Sequence, residues 1–221
     1  SLLSADADLF ASHSEKSANG CYAFVLNSHQ GQVPIQLQVL GRHMVANAMA
    51  AAAAASALGI PLASIQQGLQ AFTGVSGRLA MATTAAGARV IDDSYNANPD
   101  SVRAAIDVLA DLPGTRVLVF GNMGELGADE EHFHREIGTY AAERGIDLLL
   151  TAGDLAAAAA KQFATLGGQS EVFNDNRRLA RWLAERVNEQ MVILIKGSRS
   201  AAMEQVVEVL LSNPSTAGGK G

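Results

Sequence analysis

The stretch VIDDSYNANPDSV, Val90 to Val102, decides how the rest of the chain is read. Val90 and Ile91 have the character of a buried strand end. Two carboxylates, a serine, a tyrosine and two asparagines then crowd into residues 92–98, and Pro99 opens a helical pattern. Asn98 before Pro99 suits an N-cap followed by proline at the first helical position, where the missing N–H is no loss. Strand, polar loop and helix make the half-unit of a parallel α/β sheet. In such sheets ligands bind beyond the carboxyl ends of the strands.

Working outward, RVIDDS, TRVLVFG, IDLLLTAG, EVF and MVILIKG read as strands. They alternate with helical stretches near 99–111, 129–144, 154–166, 175–190 and 199–211. VLVF, LLL and VILI are continuous apolar runs, as expected of strands covered on both faces. LAMATT is expected to pair as an antiparallel edge strand through the AAGA turn. Upstream the texture differs. From Leu9 to Leu40 the pattern is of strands, with CYAFVLNS and VPIQLQVL forming a hairpin around HQGQ. GRHMVANAMAAAAAASALG reads as a helix stopped by Gly59, and Pro61 begins a second one near Leu62 to Phe72. TGVSGR, residues 73–78, is the expected boundary. The fold class is therefore α/β, with a C-terminal Rossmann-like, mostly parallel, doubly wound sheet. Antiparallel strands plus two helices precede it.

With 221 residues, 48% hydrophobic and 17% charged, the chain can build one large core or two modest ones. A net charge of -6, from 16 Lys+Arg and 22 Asp+Glu, argues against binding nucleic acid through its phosphates. The lone Cys21 cannot make an internal disulfide, which suits a reducing compartment such as the cytoplasm. No signal peptide is visible, and the alanine run at 48–55 is too short and too weakly apolar to span a bilayer. The tail SNPSTAGGKG has no apolar periodicity, so residues 214–221 are expected to be disordered. Its GGKG lacks the strand, hydroxyl residue and helix of a P-loop.

The strand ends supply the candidate residues. Asp92 and Asp93 are adjacent on a strand and point to opposite faces. A carboxylate there can accept two hydroxyls of a ribose, or be a solvated turn acid. Lys196, Ser198, Arg199 and Ser200 lie between the last strand and the expected last helix, where cations and helix-start N–H groups would hold an anion. The bland alternative is that Ser198 or Ser200 simply caps the helix while both cations are solvated. GNMGELG, 121–127, is not a dinucleotide fingerprint. His132 and His134 point apart on a helix and read as surface histidines, not a zinc pair. His43 and Asn47 share a face at a helix start.

In this order, GRHMVANAMAAAA, SGRLA, IDDSYNANPDSV, VLVFGNMGELG and ILIKGSRSAAMEQVV together resemble the C-terminal part of the Mur ligase family. The likeness runs from about Leu9 to Leu211. DDSYNANP and KGSRSAAME are most similar to its members that ligate D-alanyl-D-alanine to UDP-N-acetylmuramoyl-tripeptide, in peptidoglycan precursor synthesis. One departure is Met44, where the family usually has Asn after the His of GRH. The resemblance implies that 1–75 is the last part of a truncated central ATP-binding domain and 78–213 a complete Rossmann-like C-terminal domain. The P-loop, and the ligands of a magnesium ion, would lie upstream, so the fragment is expected to be inactive alone. By motif, His43 and Asn47 would contact the adenine of ATP, Arg78 its phosphates and Asp93 its ribose. Asn96, Asn98, Lys196, Ser198 and Arg199 would bind the dipeptide. No catalytic or metal-binding residue is assigned within the chain, and a monomer without nucleic-acid or membrane partners is expected. Two other readings stand beside this one. One is a stand-alone Rossmann-like binding module without chemistry of its own, the other a related amide ligase such as folylpolyglutamate synthase.

Overall fold

The computed structural model describes residues 7–17 and 20–212. The expected disordered tail, 214–221, lies outside the described residues. The chain divides into two compact units, Ser1–Gly74 and Val75–Gly221.

In the first unit, β1 (Leu9–Lys16), β2 (Cys21–Ser28) and β3 (Gly31–Leu40) form an antiparallel sheet in that order, followed by α1 (His43–Ala57) and α2 (Leu62–Ala71). The hairpin turn is tighter than HQGQ suggests: Ser28 pairs directly with Gly31, whose φ of 121° suits only glycine. On β3, Ile35, Leu37 and Val39 are buried while Gln36 and Gln38 between them are exposed. They join Phe24 and Leu26 of β2 in one core with Val45, Met49 and Ala52 of α1 and Leu62 and Ile65 of α2. β3 is an edge strand, so Pro34 is tolerated there. α2 also protects that edge. Gln66 donates to the Pro34 carbonyl at 2.8 Å, and the Gln36 N–H donates to the Gln70 side chain at 3.2 Å.

The second unit is a six-stranded sheet in the order β4-β5-β9-β6-β7-β8. Its strands are β4 (Ala80–Thr83), β5 (Arg89–Asp93), β6 (Thr115–Gly121), β7 (Leu148–Ala152), β8 (Gln169–Phe173) and β9 (Met191–Lys196). β4 runs antiparallel at one edge and every other pair is parallel. Between the parallel strands lie α3 (Pro99–Ala110), α4 (Glu130–Glu143), α5 (Ala156–Thr165) and α6 (Asn176–Ala184), and α7 (Glu204–Ser212) follows β9. The apolar runs are the central strands: residues 117–120 of β6 and 192–195 of β9 are fully buried. Alternation turns Val117, Val119, Ile193 and Ile195 toward α6 and α7, where Leu179, Leu183, Val206 and Leu210 meet them. On the other layer α4 packs against α3 and α5. Gly138 makes the α4–α5 approach close: a Cβ there would lie 2.2 Å from the Ala159 carbonyl oxygen.

Three sequence expectations need correction. His134 is no surface residue: it is fully buried and only His132 is exposed. The last helix does not begin at residue 199. A short 3-10 turn, Arg199–Ala201, is followed by Ala202 at φ 50°, and α7 starts at Glu204. α6 likewise stops at Ala184, well short of 190.

Candidate functional site

The order of the sheet brings the carboxyl ends of β5, β9, β6 and β7 side by side. The first and last segments of the second unit therefore meet, although about a hundred residues separate them in sequence. At the end of β5, Asp92 and Asp93 point to opposite sides and both are used by the protein. Asp92 accepts the Gly77 N–H on Oδ2 at 3.1 Å, and the Ser94 N–H and hydroxyl on Oδ1 at 3.2 and 2.6 Å. Asp93 accepts the Leu79 N–H on Oδ1 at 3.2 Å and the Lys196 ammonium on Oδ2 at 2.5 Å.

Lys196 ends β9 with its side chain only 2% exposed. Its second partner is the carbonyl of Asn96, at 3.0 Å. The ammonium is thus turned inward and ties the loop after β5 to the neighbouring strand. Burial of this kind persists only because the charge has an ion partner and further hydrogen bonds.

The rest of DDSYNANP divides between architecture and exposure. Asn98 caps α3: its Oδ1 accepts the Ser101 N–H at 2.8 Å, and Ser101 Oγ accepts the Asn98 N–H at 3.1 Å. This is the reciprocal capping box, with Pro99 in the first turn. Asn96 and Tyr95 are exposed. Tyr95 lies beneath Arg78, whose guanidinium carbon is 4.4 Å from the ring centroid. The backbone joins the same two segments, through the Tyr95 N–H to the Gly77 carbonyl at 3.0 Å. A Cβ on Gly77 would lie 3.2 Å from the Tyr95 Cβ, so this approach needs the glycine.

After β9, Ser198 is buried and its hydroxyl is 3.1 Å from that of Ser200. Its N–H donates to the Asn122 carbonyl at 2.8 Å, joining the loops after β9 and β6. Asn122 Oδ1 accepts the Ala156 N–H at 2.8 Å, so a side chain from one loop caps a helix that follows another strand. Arg199 is exposed and pairs with Glu204 at 3.2 Å. Because the turn that holds Arg199 is separate from α7, Lys196, Ser198 and Arg199 do not sit on the last helix's N-terminus.

GNMGELG is held from behind by His134. Its Nε2 accepts the Met123 N–H at 2.9 Å. Its Nδ1 is 2.6 Å from the Glu130 carbonyl, which can only accept, so the proton is on Nδ1. Burial pushes the pKa of this imidazole below 6.5, against the opposing pull of the Glu130 carbonyl and carboxylate. A neutral His134 is the form that fits both bonds.

His43 and Asn47 lie in the first unit, one turn apart at the start of α1 and both exposed. The Asn47 amide is 3.4 Å from the sulfur of Met44. Among the described residues no group of three or more His, Cys, Asp or Glu is placed to hold a metal ion. Among them, too, no helix is long and apolar enough to cross a membrane.

Sequence reasoning passed over Tyr95, Asn122 and His134 as site-building residues. Each stands inside or near a motif that drew attention; Tyr95 and Asn122 meet partners from other segments, while His134 bonds Met123 in the loop before its own helix.

Comparison with known proteins gives the same arrangement a lineage. The model of the Mur ligase, glutamate ligase domain matches residues 77–199. The UDP-N-acetylmuramoyl-tripeptide--D-alanyl-D-alanine ligase of Escherichia coli (strain K12) is 42% identical over 211 residues, covering 95% of this chain and 46% of that protein. The ligase of the same name from Haemophilus influenzae is 37% identical over 83% of this chain and 40% of its own length. Among solved structures, MurF from Acinetobacter baumannii superposes with a TM-score of 0.87 at 34% identity, over 95% of this chain and 46% of that one. The chain thus spans about half the length of these relatives. The matched segment opens at Gly77, where Asp92 grips the backbone, and closes at Arg199 beyond the buried Lys196; by that match, the chain belongs to the Mur ligase family.

Proposed function

We propose that this chain is the C-terminal portion of an ATP-dependent ligase that joins D-alanyl-D-alanine to UDP-N-acetylmuramoyl-tripeptide in the cytoplasm. The observation that carries the reading is the 42% identity, across 95% of this chain, to a protein of that name. Residues 1–75 are then the end of a central ATP-binding domain and 78–213 its C-terminal domain. In this reading magnesium serves with ATP and its ligands lie upstream of this portion.

The chemistry sets what this portion must do. A free carboxylate is a poor acyl donor. Phosphorylation turns its oxygen into a leaving group, and the amine of the dipeptide then attacks the acyl phosphate. Such phosphoryl transfer depends on positioning and on neutralising charge. In this reading Arg78 meets the ATP phosphates, Asp93 accepts from the ribose, and His43 and Asn47 attend the adenine. Asn96, Ser198 and Arg199 serve the dipeptide directly. Asn98 spends its carbonyl on the cap and offers its amide. Lys196 contributes positive charge from below and orients Asp93.

The test is substrate-dependent ADP formation by the full-length protein that carries this chain. Turnover requiring both the UDP-tripeptide and D-alanyl-D-alanine is expected, with none from the 221-residue chain alone. Turnover with a folate and glutamate instead would favour the folylpolyglutamate synthase reading. No turnover with either pair would leave a binding module.

A further inference from the structure

We propose that Tyr95 is a positioning residue that holds the Arg78 guanidinium where it meets an oxyanion of the nucleotide; this rests on the ATP reading above. The argument begins with what neutralises arginines in this protein. Arg103, Arg116, Arg135, Arg144, Arg178, Arg186 and Arg199 each pair with a carboxylate. Among the described residues no such pair is seen for Arg42, Arg89, Arg177, Arg181 or Arg78, and of these five it is Arg78 that lies against an aromatic ring. Its partner is an aromatic face, 4.4 Å from the guanidinium carbon. A ring attracts the cation without cancelling its charge or using its N–H edges. Those edges stay available to an anion.

The backbone around Arg78 is prepared for the same end. The Gly77 N–H is held by Asp92 and the Leu79 N–H by Asp93, so the residues on both sides of Arg78 are fastened to the end of β5. Arg78 itself donates its N–H to the Val75 carbonyl at 3.0 Å. Leu79 adopts φ 53°, uncommon for a residue with a branched side chain, and the clamp keeps it there. With its backbone fixed, only the long side chain remains free to wander. Tyr95 removes that freedom, and its own N–H is tied to Gly77. The ring is 47% exposed, so it is not needed to fill a core.

Two measurements test this. In the 221-residue chain, the Arg78 side-chain proton resonances should carry an upfield ring-current shift. Tyr95→Phe should keep it and Tyr95→Ala should abolish it. In the full-length ligase, Tyr95→Ala should raise KM for ATP roughly two- to five-fold, the effect of one exposed cation–π contact. KM for the dipeptide should stay put, and Tyr95→Phe should behave as wild type. In an Arg78→Ala background the Tyr95→Ala change should add nothing. An absent ring-current shift overturns the proposal, as does a Tyr95→Ala effect that is equal in both backgrounds or falls on the dipeptide instead. If Arg78→Ala raises KM for ATP and Tyr95→Ala does not, the positioning role alone fails. If the stack is present and Arg78→Ala leaves that constant unmoved, the ATP assignment of Arg78 fails with it.

Discussion

Replacing Lys196 by methionine isolates the ion pair under the β5 loop. Methionine keeps an apolar stem of similar length in a site that is 2% exposed, and removes only the charge and its donors. Asp93 then loses its partner at 2.5 Å, and the Asn96 carbonyl loses a donor at 3.0 Å. Breaking one side of a buried pair costs about 3–5 kcal/mol. Two features favour the low end. Asp93 is 13% exposed and keeps the Leu79 N–H, so water and that donor still serve it. Asn96 is exposed, so water can replace the ammonium there. The expected loss is therefore about 3 kcal/mol. The double variant Asp93→Asn/Lys196→Met removes the stranded charge and leaves an acceptor for Leu79. It should recover most of the loss, ending within about 1.5 kcal/mol of wild type. Urea unfolding followed by tryptophan fluorescence measures this, because the one tryptophan, Trp182, lies on α6 and reports on the second unit. The difference should persist in high salt, which screens exposed pairs far more than buried ones. A loss below about 1 kcal/mol, or one erased by salt, would be that of a surface pair and would refute the reasoning.

Two further outcomes follow from buried geometry. His134 has a pKa held below 6.5 in the folded state, chiefly by burial. Its unfolded form binds protons first, so stability should fall as pH drops below about 6.5 toward the lower folded value, by at most about 1.4 kcal/mol per pH unit; urea midpoints between about pH 8 and 5 should slope less in His134→Gln, and equal slopes would count against it. Gly138→Ala should lower the melting temperature. The usual gain of about 1 kcal/mol for alanine in a helix is outweighed by overpacking of about 1–3 kcal/mol, since the new Cβ would sit 2.2 Å from the Ala159 oxygen; a raised melting temperature would show that α4 and α5 separate cheaply.

Much of this protein is decided locally, and local rules are readable in sequence. Continuous apolar runs such as VLVF and VILI became the doubly covered strands β6 and β9, because a strand buried on both faces has no polar side to show. Alternation in VPIQLQVL became the one-sided β3. LAMATT pairs antiparallel at the sheet edge as its turn suggested. Asn98 and Pro99 opened α3 because capping needs only neighbours. β1 was less distinct: LFASHSEK is half exposed and broken by an irregularity between Ser12 and Glu15, which blurs its period.

What sequence could not decide is everything that depends on strand order. No local feature says that β9, last in the chain, inserts between β5 and β6. That insertion puts Lys196 against Asp93 and Asn96 and turns an apparent ligand-facing cation into a buried partner. It also puts Ser198 against Asn122. The burial of His134 is a different matter: its partners, Met123 and Glu130, are near in sequence, but only the folded path of the loop before α4 brings the Met123 N–H onto the ring. The break before α7 is tertiary as well. Asn176 of α6 donates to the carbonyls of Ala201 and Ala202 at 2.7 and 3.0 Å, and stabilises the left-handed residue that ends the turn. Periodicity and propensity act over a few neighbouring residues and so were legible from sequence. Hydrogen bonds and charges act through space and wait for the sheet to choose their neighbours.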